Sequence, residues 1–355
     1  MIYFFSFIIV LGIPVFLHEL GHFLAAKSVG IKVEKFYVGF DFFNLGIKKK
    51  YKGTEYGIGL FPLGGYVKVA GIIDENMETQ SSGKDYEFRS KNVFQKIWFL
   101  SAGVIMNFVL AIFVFSCVTL YEGYPEIVDE PIINEVHEEF PASVAGLEKD
   151  DKILAINKIT IKTFSDLQQI VKNNFDNEIS LEWEREGKIY SSTITPVKSN
   201  KFEKGEIVDI GIIGVTPYVN MIEAGVFKSI SIGLEQTINW IEYISYSIWA
   251  LITGNVALDQ LAGPLQIAKI AGDTANSGGF YSLILLMAII SINLGLINIL
   301  PLPVVDGGHV VIAIIEGIYG KELPLKVKYS IQVFGTILLM SLFIFIFIND
   351  LKSLM

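Results

Sequence analysis

Apolar and polar residues are sharply segregated along this chain. Runs at residues 2–26, 93–120 and 281–300 are long and apolar enough to cross a bilayer as helices, since about 20 such residues span the hydrocarbon core. A fourth run, 331–348, is among the most hydrophobic in the chain. A fifth, 230–252, is interrupted by Glu235, Asn239 and Glu242. That spacing puts the three polar side chains on one helical face, which predicts an amphipathic helix lying in the membrane interface. Residues 56–69 alternate in polarity and are broken at Pro62 and Gly64-Gly65, predicting strand structure with an edge open to pairing. From about 125 to 200 the pattern reads as turn, strand and short helix, the signature of a soluble α/β module.

Composition supports the membrane reading. Apolar residues make up 52% of the chain and its formal charge is −9. Phosphate binding needs clustered cations, so a nucleic-acid partner is excluded. Cys117 is the sole cysteine, so neither an intrachain disulfide nor a thiol metal site can form. The first apolar run lacks the basic flank of an export signal and carries His18, Glu19 and His22; a retained helix is expected.

Basic residues near membrane ends set orientation. Lys27, Lys32, Lys35, Lys48, Lys49, Lys50, Lys84, Arg89, Lys91 and Lys96 lie between or flank the first two runs, whereas the chain after the second begins with Glu122, Glu126, Asp129 and Glu130. Residues 27–92 are therefore expected in the cytoplasm and 121–280 outside it. Lys321, Lys326 and Lys328 return to the cytoplasmic side with four crossings; a fifth, at 230–252, would put them outside. The expected organisation is 1–121 with the first two spans, 122–200 as the extracytoplasmic module, 201–278 as linker strand and interfacial helix, and 279–355 with the last two spans.

His18-Glu19-Leu20-Gly21-His22 is an HExxH motif. Two histidines four apart on a helix can chelate one ion, with the intervening Glu as general base. Two buried histidines satisfied by neighbours are the competing reading, but three ionisable groups within five residues of a membrane helix are costly without a function. A hydrolytic zinc site needs a third protein ligand, and the partner must lie at the same depth. At the cytoplasmic end of the third span, Pro301, Pro303, Gly307 and Gly308 break the helix around Asp306, and such breaks occur where backbone lines a cavity or protein interior. Asp306 is the first choice for the third ligand and His309 the second; a turn residue is the plainer reading of Asp306. His137 reads as a surface residue.

These motifs, with Asn298-x-x-Pro-x-Pro-x-x-Asp306-Gly-Gly-His in the third run, resemble the site-2 proteases, specifically the bacterial regulator-of-sigma-E (RseP-like) branch, over nearly the whole chain. Residues 141–157 resemble a PDZ domain, with Lys158 where its usual pattern has glycine. The resemblance implies a polytopic α-helical membrane protein of about four transmembrane helices, with a membrane-associated β-hairpin and one inserted PDZ-like α/β domain. It implies Zn2+ on His18, His22 and Asp306, Glu19 as base, and Asn298 steadying the oxyanion. Phe61, Pro62, Leu63, Gly64, Gly65 and Tyr66 match the family loop that meets substrate. Residues 263–271 match another recurrent stretch. Gly103 and Asn107 match a Gly-Pro-x-x-Asn element in which Val104 replaces the proline.

The implied activity is intramembrane zinc endopeptidase of the bacterial inner membrane, cutting transmembrane segments of single-pass proteins such as an anti-sigma factor or a signal-peptide remnant. The PDZ-like module would bind a peptide or limit access by size. The alternative is a catalytically inactive PDZ-bearing membrane adaptor, against which the intact Glu19 argues. A zinc carrier or channel would spread polar residues along a path, and here they cluster at one depth.

Overall fold

The computed structural model describes residues 1–41, 46–71, 84–203, 206–256 and 261–354, with the side chains of 40, 61–63, 202, 203, 206, 207 and 354 outside that description. The chain forms two compact units, one of Met1–Cys117, Phe227–Ser245 and Ala257–Met355, the other of Val118–Val226 and Tyr246–Val256.

The first unit opens with helix α1, Ile2–Ser28. Its Ile8–Gly12 turn is π-helical and ends two residues before Pro14. A widened turn accommodates a proline that cannot donate to the helix ladder. The helix stops at Gly30, which adopts a left-handed φ of 69°. Strands β1 (Val33–Phe40), β2 (Ile47–Tyr51), β3 (Thr54–Ile58) and β4 (Phe61–Val69) follow, in the sheet order β2-β3-β1-β4. The expected hairpin is thus a four-stranded mixed sheet. β1 runs parallel to β3, placing Tyr37 against Gly57, where any side chain would collide with the tyrosine ring. On its other side β1 pairs antiparallel with β4, and Tyr37 stacks on Tyr66 at 5.1 Å between centroids. β4 is the last strand of that order, with one edge not taken up by the sheet. Helix α2, Val93–Glu122, completes this part.

The second unit is built from β5 (Tyr124–Ile127), β6 (Ile133–Val136), a single turn α3 (Pro141–Val144), β7 (Lys152–Ile156), β8 (Ile159–Thr160), α4 (Phe164–Asn173), β9 (Ile179–Arg185), β10 (Lys188–Ile194), β11 (Val197–Glu203), β12 (Glu206–Ile212), β13 (Val215–Pro217) and β14 (Val219–Ile222). One sheet has the order β10-β9-β7-β8. Its alternating strands and one face of α4 bury Ile153, Ile156, Leu167, Ile179, Leu181 and Trp183 in a common core. Thr163 and Asp166 form a reciprocal capping box at the start of α4. Asp151, whose side chain is wholly buried, accepts from Arg185 Nε and a second guanidinium nitrogen at 2.7 and 2.8 Å. The stretch expected to be a linker strand instead carries β13 and β14, which pair with β6 and β5.

Helix α5 is Val226–Ile252. Glu235, Asn239 and Glu242 are all exposed on it, while Gly233 approaches Ser116 and the Ile112 carbonyl so closely that a Cβ would clash. Helix α6, Pro264–Ile299, is broken at Gly279 (φ 64°), so the predicted span at 281–300 is its second half. Residues 300–305 are non-helical; α7 (Asp306–Tyr319) and α8 (Leu325–Leu354) follow. The carboxylate of Asp350, fully buried near the end of α8, accepts from the backbone N–H groups of Gly263, Leu265 and Gln266 at 2.9, 3.0 and 3.3 Å. It thereby caps α6, whose first N–H groups have no helical partner. Among the described residues four helices are long and apolar enough to cross a membrane: α1, α2, α6 and α8.

Candidate metal centre

Helices α1 and α2 cross through glycines. A Cβ on Gly21 would lie 2.4 Å from the Ala102 carbonyl oxygen, and one on Gly103 would lie 2.5 Å from His22 Nε2 and 2.7 Å from His18 Nε2. The absent side chains let the imidazoles approach the neighbouring backbone closely. From the other direction, α7 begins at Asp306 after the turn through Pro301 and Pro303. Gly307 and Gly308 sit so near the carbonyls of Ile299, Leu300 and Leu302 that no other residue fits. This tight fold-back carries the Asp306 carboxylate to the histidines.

His18 Nε2 and His22 Nε2 are 3.1 Å apart, and Asp306 Oδ2 is 3.1 Å from the first and 3.2 Å from the second. Among the described residues they form the one group of three His, Cys, Asp or Glu side chains able to hold a metal ion. Tetrahedral zinc with ligand bonds of about 2.0–2.1 Å sets donors roughly 3.3 Å apart, close to this triangle. The far side of each ring also fits. His22 Nδ1 lies 2.8 Å from the Phe99 carbonyl, an acceptor that keeps the proton on Nδ1 and the Nε2 lone pair free. His18 Nδ1 lies 3.2 Å from the amide of the fully buried Asn107, whose Oδ1 has no partner with Nδ2 turned to the ring. Turning that amide over gives Oδ1 the Nδ1 proton, as a metal on Nε2 requires.

Glu19, half-buried, lines the same cavity, which has a volume of about 320 Å3. A Cβ on Gly65 would stand 3.2 Å from Glu19 Cγ, so β4 runs directly past the carboxylate. Tyr66 and Val67 also line the cavity. The side chains of Phe61, Pro62 and Leu63 lie outside the described residues. His309 lines the cavity but stands outside the three-residue group, and His137 is exposed in the second unit. Asn298 sits half-buried in the last turn of α6 and is not among the cavity's lining residues. Sequence reasoning missed the Phe99 carbonyl and the ring contact of Asn107, although the Gly103–Asn107 spacing of one helical turn was the available signal.

Comparison with known proteins agrees with this chemistry. A family model described as peptidase family M50 matches residues 6–342. A protein of Rickettsia conorii named "Putative zinc metalloprotease" is 33% identical over 98% of both chains. Zinc metalloprotease RasP of Geobacillus kaustophilus is 32% identical over 98% of this chain and 97% of its own length. A solved PDZ domain of an SdrC-like protein from Listeria monocytogenes covers 26% of this chain and 90% of its own, at 16% identity and a TM-score of 0.21.

Proposed function

The chain belongs to peptidase family M50, the site-2 proteases, and is a zinc metalloprotease; on that premise we propose that it cuts the transmembrane segments of single-pass proteins within the bacterial inner membrane. The observation that carries this is the convergence of His18 and His22 with Asp306, 284 residues beyond His22, beside Glu19. We assign His18, His22 and Asp306 as the residues that would hold zinc. When bound, zinc supplies Lewis acidity that activates water and polarises a carbonyl.

Glu19 takes the proton of the attacking water and passes it to the departing amine. Asn107 and the Phe99 carbonyl hold the two imidazoles in the tautomer that leaves Nε2 unprotonated. Asn298 is assigned to the developing charge on the scissile carbonyl oxygen, a role supported by the family motif in which it stands. A transmembrane helix satisfies its own backbone groups, so it must unwind before cleavage, and the freed groups then need partners. The open edge of β4, past Gly65 and Tyr66, offers them by strand addition. Its backbone would hold the substrate extended beside Glu19.

The lysine distribution supports a centre near the cytoplasmic face and a PDZ-like second unit outside. That unit has a cavity of about 630 Å3 between α4 and β12, lined by Phe140, Leu167 and Gly211 among others. That cavity supports the reading in which the unit holds a peptide. An anti-sigma factor or a signal-peptide remnant is the substrate class the family resemblance favours.

The test is cleavage of a single-pass model substrate by full-length protein in liposomes. Wild type should cut it, and Glu19→Gln should bind equal zinc but cut at least about a thousandfold more slowly, since both the general base and the proton donor to the amine are lost. Turnover retained in Glu19→Gln would remove Glu19 as base.

A further inference from the structure

The cavity at the metal centre is also lined by basic groups that catalysis does not use. Lys96, Arg89 and Lys328 all line it. Lys328 is already neutralised by an ion pair with Glu316, both side chains being mostly buried. Lys96 is different. The residue is 8% exposed, its ammonium stands over the Phe88 ring at 5.7 Å, and that ammonium makes no ion pair or hydrogen bond among the described residues. Arg89, half-buried on the short 3-10 turn Phe88–Ser90, likewise has none. A buried cation without a counter-ion is costly. Two of the cavity's other carboxylates are engaged elsewhere, Asp306 with the histidines and Glu316 with Lys328, while Glu19 lies against Gly65 of β4. Two cations therefore face a space that an anion can enter.

Helical geometry sets the distance. Lys96, Phe99, Gly103 and Asn107 fall on one face of α2, at intervals of three and four residues. Gly103 touches both imidazoles, and Lys96 precedes it by two turns, roughly 10 Å at 1.5 Å per residue. An extended peptide advances about 3.3 Å per residue, so a substrate cut at the centre would bring its third or fourth neighbouring residue to Lys96.

We propose that Lys96 and Arg89 form a carboxylate-binding subsite that receives an Asp or Glu side chain of the substrate three or four residues from the scissile bond. Acidity at that position is then a specificity determinant of this protease. The proposal rests on the endopeptidase reading above and deepens it.

The experiment uses full-length protein in liposomes and one transmembrane substrate carrying Asp, Asn or Lys at each position two to five residues from the cut, on either side. At one such position Asp should raise kcat/KM over Asn by at least about tenfold, the scale of one hydrogen-bonded charge pair. Lys96→Glu should invert that ratio in favour of Lys, Lys96→Gln should abolish it, and Arg89→Glu should reduce it, all with zinc content unchanged. Measuring zinc and the ratio within each variant keeps a folding defect from imitating the result. Wild type that cuts the Asn substrates but shows no Asp preference at any position overturns the subsite and leaves the endopeptidase reading standing. An Asp preference that survives Lys96→Glu also overturns it. Zinc-loaded wild type that cuts none of the panel overturns both.

Discussion

Gly103 has no side chain, and the metal centre depends on that. Any Cβ there would occupy the space of the His18 and His22 rings, so the residue acts by letting one helix backbone support two imidazoles from another. Four residues on, Asn107 supports His18 from behind. Outer partners of this kind typically change metal affinity 10- to 100-fold, and Asn107→Ala should weaken zinc binding by about that factor in a competition titration with a chelator. Asn107→Asp, which keeps an oxygen acceptor for the Nδ1 proton, should restore most of it. Equal affinity in wild type and Asn107→Ala would show that His18 needs no such support. At this scale the sequence was generous about ligands and silent about their supports. Four-residue spacing marks His18 and His22, but a backbone carbonyl such as that of Phe99 has no sequence signature, and a lone asparagine in an apolar run announces only that it must be satisfied somewhere.

Elements show the same division. The apolar runs gave α1, α2, the second half of α6 and α8 because burial in lipid needs uniform apolarity, and uniformity is easy to read. The sheet was harder. β2 is Ile-Lys-Lys-Lys-Tyr, exposed at every position, so its polarity reads as a loop; its strand character comes from pairing with β3. The parallel β1–β3 pair depends on Tyr37 meeting Gly57, a contact between residues no local pattern connects. In the second unit the capping box is both legible and testable. Thr163 and Asp166 exchange hydrogen bonds at the start of α4, and those from Thr163 and the Lys162 and Thr163 N–H groups hold the Asp166 carboxyl below its usual range. A depressed carboxyl stabilises the fold above its unfolded pKa of about 3.9, and that contribution disappears as pH falls through the lower folded value. Thr163→Ala should therefore lower hydrogen-exchange protection of α4 amides in the full-length chain, by about 1 kcal/mol at neutral pH for the lost cap. The gap from wild type should narrow below pH of about 4. A gap constant with pH would mean that Asp166 takes no part.

For the whole molecule the informative signal was charge. The lysine pattern supports the proposed placing of 27–92 and 321–328 on one side of the membrane, and that placing would bring the HExxH helix and the Asp306 turn to a common depth. Single cysteines at Lys49 and Glu138, in a Cys117→Ser background, should react differently with a membrane-impermeant maleimide applied to intact cells: Glu138→Cys labelled, Lys49→Cys protected until the cells are opened. Labelling of both from outside would contradict the proposed orientation. The chain's own pattern did not show how residues 215–222 return to pair with β5 and β6, because those strands close on partners about 80 to 100 residues earlier by sequence.

The account stands on a single zinc held jointly by two residues of α1 and one of α7. Zinc per chain, measured by mass spectrometry on purified full-length protein after dialysis against a weak chelator, tests this most directly when wild type is compared with Asp306→Ala. The expected result is one zinc per wild-type chain and a clear substoichiometric loss in the variant, with its helical content retained. One full equivalent in both proteins would contradict it.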